Sequence, residues 1–277
     1  MGWLTEMSSG RRHPVMVSSL AESRLNLMAL RVRASWKLAR VLLHLLSGWC
    51  TVVLRFPGLT SIQREERIRA WAQALLVHLA IRSEINGKPP THGPLMLVCN
   101  HISWLDIYVI YAVCHCRFVA KAEVGRWPLI GTLAAAAGTL FIQRESRRDA
   151  LRVVQQISNR LQAGDAIAVF PEGTSSDGVG VLPFHANLVQ AAIAADAPVL
   201  PAAIRFSDGA SATHSQTACY LDKDTLIGSI WRILNSPPLC ATLVFGEQQY
   251  AQGRERRVWS ADLRRAVVAL RASPTDR

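Results

Sequence analysis

Acidic residues are scarce in this chain of 277 residues: 20 Asp and Glu stand against 31 Lys and Arg, for a net charge of +11. So cationic a chain is drawn to anionic surfaces, which both lipid and nucleic acid present. A second absence argues against nucleic acid, because no helix-turn-helix, zinc-finger or RNA-binding signature accompanies the charge. The six cysteines lack the paired spacing of a secreted disulfide scaffold, which points to reduced thiols in a cytosol-facing protein. Cys114-His115-Cys116 has no second ligand pair at zinc-finger spacing, so it reads as structural thiols and no metal is expected. Residues 1–33 lack the apolar core and small-residue cleavage site of a signal peptide, and are expected to be a basic segment that lies on a surface or is partly disordered. There is no Gly-x-Ser-x-Gly elbow, which disfavours a serine hydrolase using Ser103, Ser175 or Ser176. Repeats and low-complexity tracts are also missing.

Hydrophobic residues make up half of the chain, and its length allows a full α/β core plus an extension. Residues 1–90 carry 13 Lys and Arg against 5 Asp and Glu, which is +8 of the total. Arg31, Arg33, Lys37 and Arg40 lead into the apolar run 41–54, which Arg55 closes. Fourteen residues make about 21 Å of helix, short of a hydrocarbon core of about 30 Å. A helix dipping into one leaflet, with its cationic flanks on lipid headgroups, suits that length better than a bilayer crossing. A buried core helix is the alternative. Pro57-Gly58 ends this helix, and 61–82 reads as a second one, so 34–88 is expected to form a membrane-associated helical hairpin.

Beyond Pro89-Pro90 the rhythm is that of strands alternating with helices, giving an α/β domain over 89–277 with a mixed, largely parallel sheet flanked by helices. Candidate strands are 95–99, 117–120, 139–142, 166–170, 199–206, 218–221 and 241–245. Between the third and fourth, Ser146 with Asp149 reads as a capping box. Leu151, Val154, Ile157 and Leu161 mark the apolar face there, and Gly164 the stop.

Two strand ends carry the chemistry. The run Leu95-Met96-Leu97-Val98-Cys99 is followed at once by Asn100-His101-Ile102-Ser103-Trp104-Leu105-Asp106. Five helical steps would set His101 and Asp106 about 140° apart, so His101 should precede a helix whose first turn holds Asp106, with Ser103 as N-cap. A carboxylate that orients an imidazole lets it take a proton from an alcohol. After 166–170, Phe170-Pro171-Glu172-Gly173-Thr174 breaks off as abruptly.

In that order the two segments resemble the motifs of the glycerolipid acyltransferase family, which includes lysophosphatidic acid acyltransferases. The first is similar to the family's His-x4-Asp motif and the second to its acceptor-binding motif. Gly138-Thr139-Leu140-Phe141-Ile142-Gln143-Arg144 is similar to the strand that supplies its phosphate-binding arginine, and Val199-Leu200-Pro201-Ala202-Ala203-Ile204 to its fourth, apolar segment. The likeness covers about residues 90–206. Many members have Asp where Gln143 stands and Arg where Ser175 stands, and the missing arginine weakens the case for a phosphomonoester acceptor. The run Thr174-Ser175-Ser176-Asp177-Gly178 with Val181-Leu182-Pro183-Phe184 looks more like the branch that acylates lyso-ornithine lipid.

The resemblance implies acyl transfer from acyl-CoA or acyl carrier protein to the hydroxyl of a 1-acylglycerol-3-phosphate-like lysolipid, with lyso-ornithine lipid as the alternative acceptor. His101 would be the general base and Asp106 its orienter. Arg144 would hold an acidic head group, Glu172 would position the acceptor, and Gly173 and Thr174 would shape the loop, with Lys121 a further anion-binding candidate. No cofactor beyond the acyl co-substrate is implied. The expected address is the cytoplasmic face of the inner membrane, with membrane lipids as partners. A non-catalytic basic membrane adaptor is the alternative of a different class.

Overall fold

The computed structural model describes residues 15–143, 147–209 and 214–273. Its strands are β1 (Ile81–Asn86), β2 (Leu95–Cys99), β3 (Arg117–Lys121), β4 (Leu140–Ile142), β5 (Ala166–Val169), β6 (Val199–Asp208) and β7 (Leu239–Phe245). They form one sheet in the order β1-β7-β6-β2-β5-β3-β4, parallel throughout except for the antiparallel β6–β7 pair. The helices are α1 (Val15–Leu54), α2 (Ser61–His78), α3 (Leu105–Tyr111), α4 (Ile130–Ala136), α5 (Arg147–Gln162), α6 (Ala186–Ala194), α7 (Leu226–Leu234) and α8 (Arg256–Ala272).

Strand β2 shows why the sheet is covered on both faces. All five of its residues are buried, as a strand between two parallel neighbours requires. Leu95, Leu97 and Cys99 enter one core with residues of α1, α2, α3 and α7, whereas Met96 and Val98 enter a second core with α5, α6 and α8. The period-two alternation of side chains thus makes a three-layer α/β/α unit.

Several expectations need correction. The stretch 218–221 is not a strand: Gln216–Ala218 is a 3₁₀ turn, and Tyr220 then donates its N–H to the Ile102 carbonyl at 3.1 Å. Strand β1 falls where the second helix was expected to continue to Arg82 and inside the 34–88 hairpin, so the sheet begins at Ile81. The chain leaves α2 through Ala80 at φ +56°, a left-handed conformation usually marked by glycine, and no turn residue betrays it. In α5, Val153, Ile157 and Leu161 form the buried face and Leu151 points outward. Ser146 lies outside the described residues, and Arg147 opens the helix.

The basic segment before residue 34 is helical from Val15, continuous with the apolar run. Ala, Leu, Met and Arg supply good helix propensity there. Within α1, Ala34–Leu54 spans 21 residues with a mean hydropathy of 1.4. At about 1.5 Å per residue it reaches about 32 Å, so in length and composition it is enough to cross a membrane, which the shorter 41–54 run is not. One side of α1 is nonetheless packed on the α/β unit. His44 Nε2 and the Trp71 carbonyl of α2 lie 3.0 Å apart, and Trp71 Nε1 donates to the His44 carbonyl at 3.2 Å. Gly48 permits this approach, since a Cβ there would come within 2.5 Å of the Trp71 indole.

Candidate active site

The two motifs meet at the C-terminal ends of neighbouring parallel strands, β2 and β5, where an open α/β sheet places its ligands. Asn100 fastens the first. Its side-chain amide is fully buried and bonds Ile204 of β6 twice, donating to the carbonyl at 3.0 Å and accepting from the N–H at 2.8 Å. His101 follows, outside any helix. Its Nδ1 lies 2.7 Å from Asp106 Oδ2 in the first turn of α3, in the arrangement the five-residue spacing requires.

Asp106 is wholly buried, and the same Oδ2 accepts from the N–H groups of Ile102 (2.7 Å) and Ser103 (2.9 Å). The carboxylate thereby does the capping that was expected of Ser103. Trp104 occupies the N-cap position of α3 without a side-chain capping bond, and Ser103 Oγ is buried and unbonded. A buried anion held by two amides and one ring nitrogen is a rigid orienter for that ring. The imidazole also stacks on Phe170, centroid to centroid 4.1 Å with 9° between planes. With Nδ1 engaged, Nε2 is the nitrogen left for a substrate.

The second motif grips the backbone of the first. Phe170 and Gly173 close a turn, the Gly173 N–H donating to the Phe170 carbonyl at 3.0 Å with Pro171 at its second position and Gly173 at φ +75°. Glu172 is 4 % exposed. Its Oε1 accepts from the His101 N–H at 2.9 Å and its Oε2 from the Leu182 N–H at 3.0 Å. Burial raises its pKa above the ordinary carboxylate range, while these two amides pull it back. Both N–H and Oγ of Ser176 donate to the His101 carbonyl, at 2.9 and 3.0 Å. Glu172 therefore braces the main chain that carries the histidine.

His101, Lys121, Gly173 and Thr174 line one cavity of about 400 Å³, walled elsewhere by side chains such as Val41, Leu45, Ile107 and Phe170. A second, almost wholly apolar cavity of about 330 Å³ lies between α1, α2 and α4, and both cavities are lined by Ile107, Tyr108, Ala120, Val124 and Ile130. Asp106 stands behind His101. Arg144 lies outside the described residues. None of the candidate serine nucleophiles bonds the imidazole: Ser175 Oγ donates to the Tyr220 carbonyl, Ser176 Oγ to the His101 carbonyl, and Ser103 is buried. Cys114 and Cys116 are free and buried in the core.

Sequence inspection misses three contributors. Phe170 gives no sign that its ring will lie against His101, beyond its place at a strand end. Arg264 and Arg271, seven residues apart on one face of α8, hold the loop that carries Leu182. Arg264 Nε donates to the Leu182 carbonyl at 3.0 Å, and Arg271 donates to the carbonyls of Val179, at 2.8 Å, and Gly178. Their helical spacing is visible in the sequence, but not the loop they reach.

The Acyltransferase family model matches residues 80–205. A 1-acyl-sn-glycerol-3-phosphate acyltransferase of Neisseria gonorrhoeae is 37 % identical over 185 residues, covering 66 % of this chain and 71 % of that one. A lyso-ornithine lipid O-acyltransferase of Pseudomonas aeruginosa is 33 % identical over 254 residues, covering 90 % of this chain and 96 % of its own. In fold, the chain is similar to the 1-acyl-sn-glycerophosphate acyltransferase PlsC of Thermotoga maritima, with a TM-score of 0.59 at 20 % identity over 87 % of this chain and all of that one. Relatives matched over most of their length, on a sheet that joins the two motifs at adjacent strand ends, establish that the chain belongs to the glycerolipid acyltransferase family and is an acyltransferase of lipid biosynthesis.

Proposed function

We propose that this enzyme transfers a fatty acyl group from the thioester of acyl-CoA or acyl carrier protein to the free hydroxyl of a lysolipid, at the cytoplasmic face of the inner membrane. The observation that carries this is the His101–Asp106 contact of 2.7 Å on a ring that lines a largely apolar cavity. His101 Nε2 takes the hydroxyl proton as the oxygen attacks the thioester carbonyl carbon. The C–O bond forms, the C–S bond breaks, and the departing thiolate receives the proton back from the imidazolium. Asp106 holds the tautomer and stabilises the transient cation, and such acid–base assistance is worth about 10²–10⁴ in rate. The scheme uses neither an acyl-enzyme nor a metal. Fatty chains fit the two adjoining apolar cavities, and Lys121 at the rim offers a cation to a donor or acceptor anion.

Membrane attachment is supported by α1. The side away from the α/β unit exposes Trp36, Leu42, Leu43, Leu46, Val53 and Leu54, with Arg40 and Arg55 among them. Packing along α2, α4 and α7 favours a helix lying in the interface over one standing across the bilayer, because a crossing would pull those helices into hydrocarbon. Purified protein with labelled acyl donor and a lysolipid panel tests the activity. Label should enter the diacyl product with the wild type and not with His101→Ala, and equal incorporation by both would refute the mechanism.

A further inference from the structure

The cavity that holds His101 does not stop at Thr174. Thr174, Ser175 and Asp222 also line an open cleft of about 520 Å³, which continues outward between Gln216, Lys223 and Arg232. If a lysolipid hydroxyl meets His101, as proposed above, its chain occupies the apolar end and its polar head extends into this cleft. The inference below rests on that reading.

Charge along the route is balanced. Among the described residues, the cations lining cavity and cleft are Lys121, Lys223 and Arg232, and the carboxylates are Glu123, Asp222 and Asp224. Three of each sign is unexpected in a chain of net charge +11. Arg232 is already committed: its guanidinium bonds both Asp224 oxygens, at 2.9 and 3.1 Å, and the carbonyls of Thr217 and Cys219. Ser175 turns its hydroxyl to the Tyr220 carbonyl and offers no positive charge. Lys121 and Glu123 stand at the inner cavity as one charge of each sign, which leaves Asp222 and Lys223, adjacent and exposed, at the mouth of the cleft. A phosphate dianion is best met by a free guanidinium and an excess of positive charge, and the described part of this mouth supplies neither.

We propose that the cleft is a head-group subsite for an acceptor whose compact head bears one cation and one anion, as an amino-acid head does. Asp222 faces the ammonium and Lys223 the acid group. A doubly negative head would gain from Lys223 and be repelled by Asp222, so the pair selects between acceptors of equal chain length.

The test compares lyso-ornithine lipid, whose head keeps one ammonium and one carboxylate, with lysophosphatidate of matched chain, both in neutral detergent micelles so that vesicle charge does not enter. The wild type should show the higher kcat/KM for the zwitterionic acceptor. Asp222→Lys should raise KM for that acceptor and lower it for lysophosphatidate, each by about 5-fold, the scale of one exposed charge pair. Lys223→Glu should weaken both, and lysophosphatidate more. Circular dichroism and a thermal melt confirm that these surface variants fold. A wild type that prefers lysophosphatidate, with Asp222→Lys moving neither KM, overturns the subsite and leaves lysolipid acylation standing. Failure of the wild type to acylate either lipid overturns both.

Discussion

The end of β2 and the outer face of α1 hold their residues by opposite means. Around His101 the positioning groups are held by named bonds: Asp106 takes three hydrogen bonds on one oxygen, Glu172 takes one on each, and Asn100 bonds Ile204 twice. On α1, by contrast, Leu42, Leu43 and Leu46 are roughly half exposed or more. Proton transfer falls off steeply when a donor is displaced, whereas burying apolar surface in lipid needs no particular geometry. A single atom should matter at the first region, and only summed area at the second.

Substitutions can break that contrast. The largest effect is expected from His101→Ala and Asp106→Asn. Each should lower kcat by about 10²–10⁴, the usual worth of positioned acid–base catalysis, while liposome flotation is kept. A loss under 10-fold in a steady-state assay would remove His101 from the chemistry.

Next comes the α1 face. Changing Leu42, Leu43 and Leu46 together to Glu should cut vesicle partitioning by about 10²-fold or more, since a fully buried leucine is worth about 1.5–3 kcal/mol. Turnover of detergent-dispersed acceptor should persist. Flotation equal to the wild type would mean that this face meets no membrane.

Glu172→Gln sharpens the comparison within the site. A glutamine amide can accept from one of the two N–H groups but opposes the other with its own NH₂, so about 1–3 kcal/mol of stability and some turnover should be lost. The pH dependence identifies the cause. Burial raises the Glu172 pKa, so the folded protein keeps a proton that the unfolded chain has released. Stability from this group is present below the ordinary carboxylate pKa and is lost as pH rises through the raised value. Urea midpoints measured across that window should fall for the wild type and less for Glu172→Gln, and parallel slopes would contradict the assignment.

The smallest effect belongs to Arg264→Ala or Arg271→Ala on α8. Each removes a clamp that reaches the main chain of His101 through two intervening residues and should cost about 1 kcal/mol, or a few degrees in Tm, as a thermal melt would register. A kcat decrease without a KM change would show that the loop transmits its position through Leu182 and Glu172 to His101. Unchanged kcat would confine both arginines to stability.

The residues differ in how plainly the sequence announces their places. Apolar runs that break sharply at His101 and Pro171 mark two strand ends, because a polar motif directly after a buried strand has nowhere else to lie. Six of the seven strands are visible this way. Strand β1 is not, since its half-exposed pattern follows α2 through Ala80 without a glycine. The stretch 218–221 imitates a strand by its apolar composition, yet Tyr220 spends its N–H on a loop carbonyl instead of a ladder. Glu172 was expected to hold an acceptor from its place in the motif, and its oxygens turn to two amides that no local pattern reveals.

Periodicity, strand-breaking residues and charge placement are local properties, so the chain alone determined an α/β sheet, a cationic apolar N-terminal helix and the pairing of His101 with Asp106 five residues on. The rest depended on atoms distant in sequence. Packing brought Phe170 under the imidazole, Glu172 under its backbone, α8 against the loop at Leu182, and Asp222 and Lys223 to the mouth of the same cavity. Such juxtapositions follow from how strands order themselves within the sheet, a choice made by burial over the whole chain and written in no single segment of it.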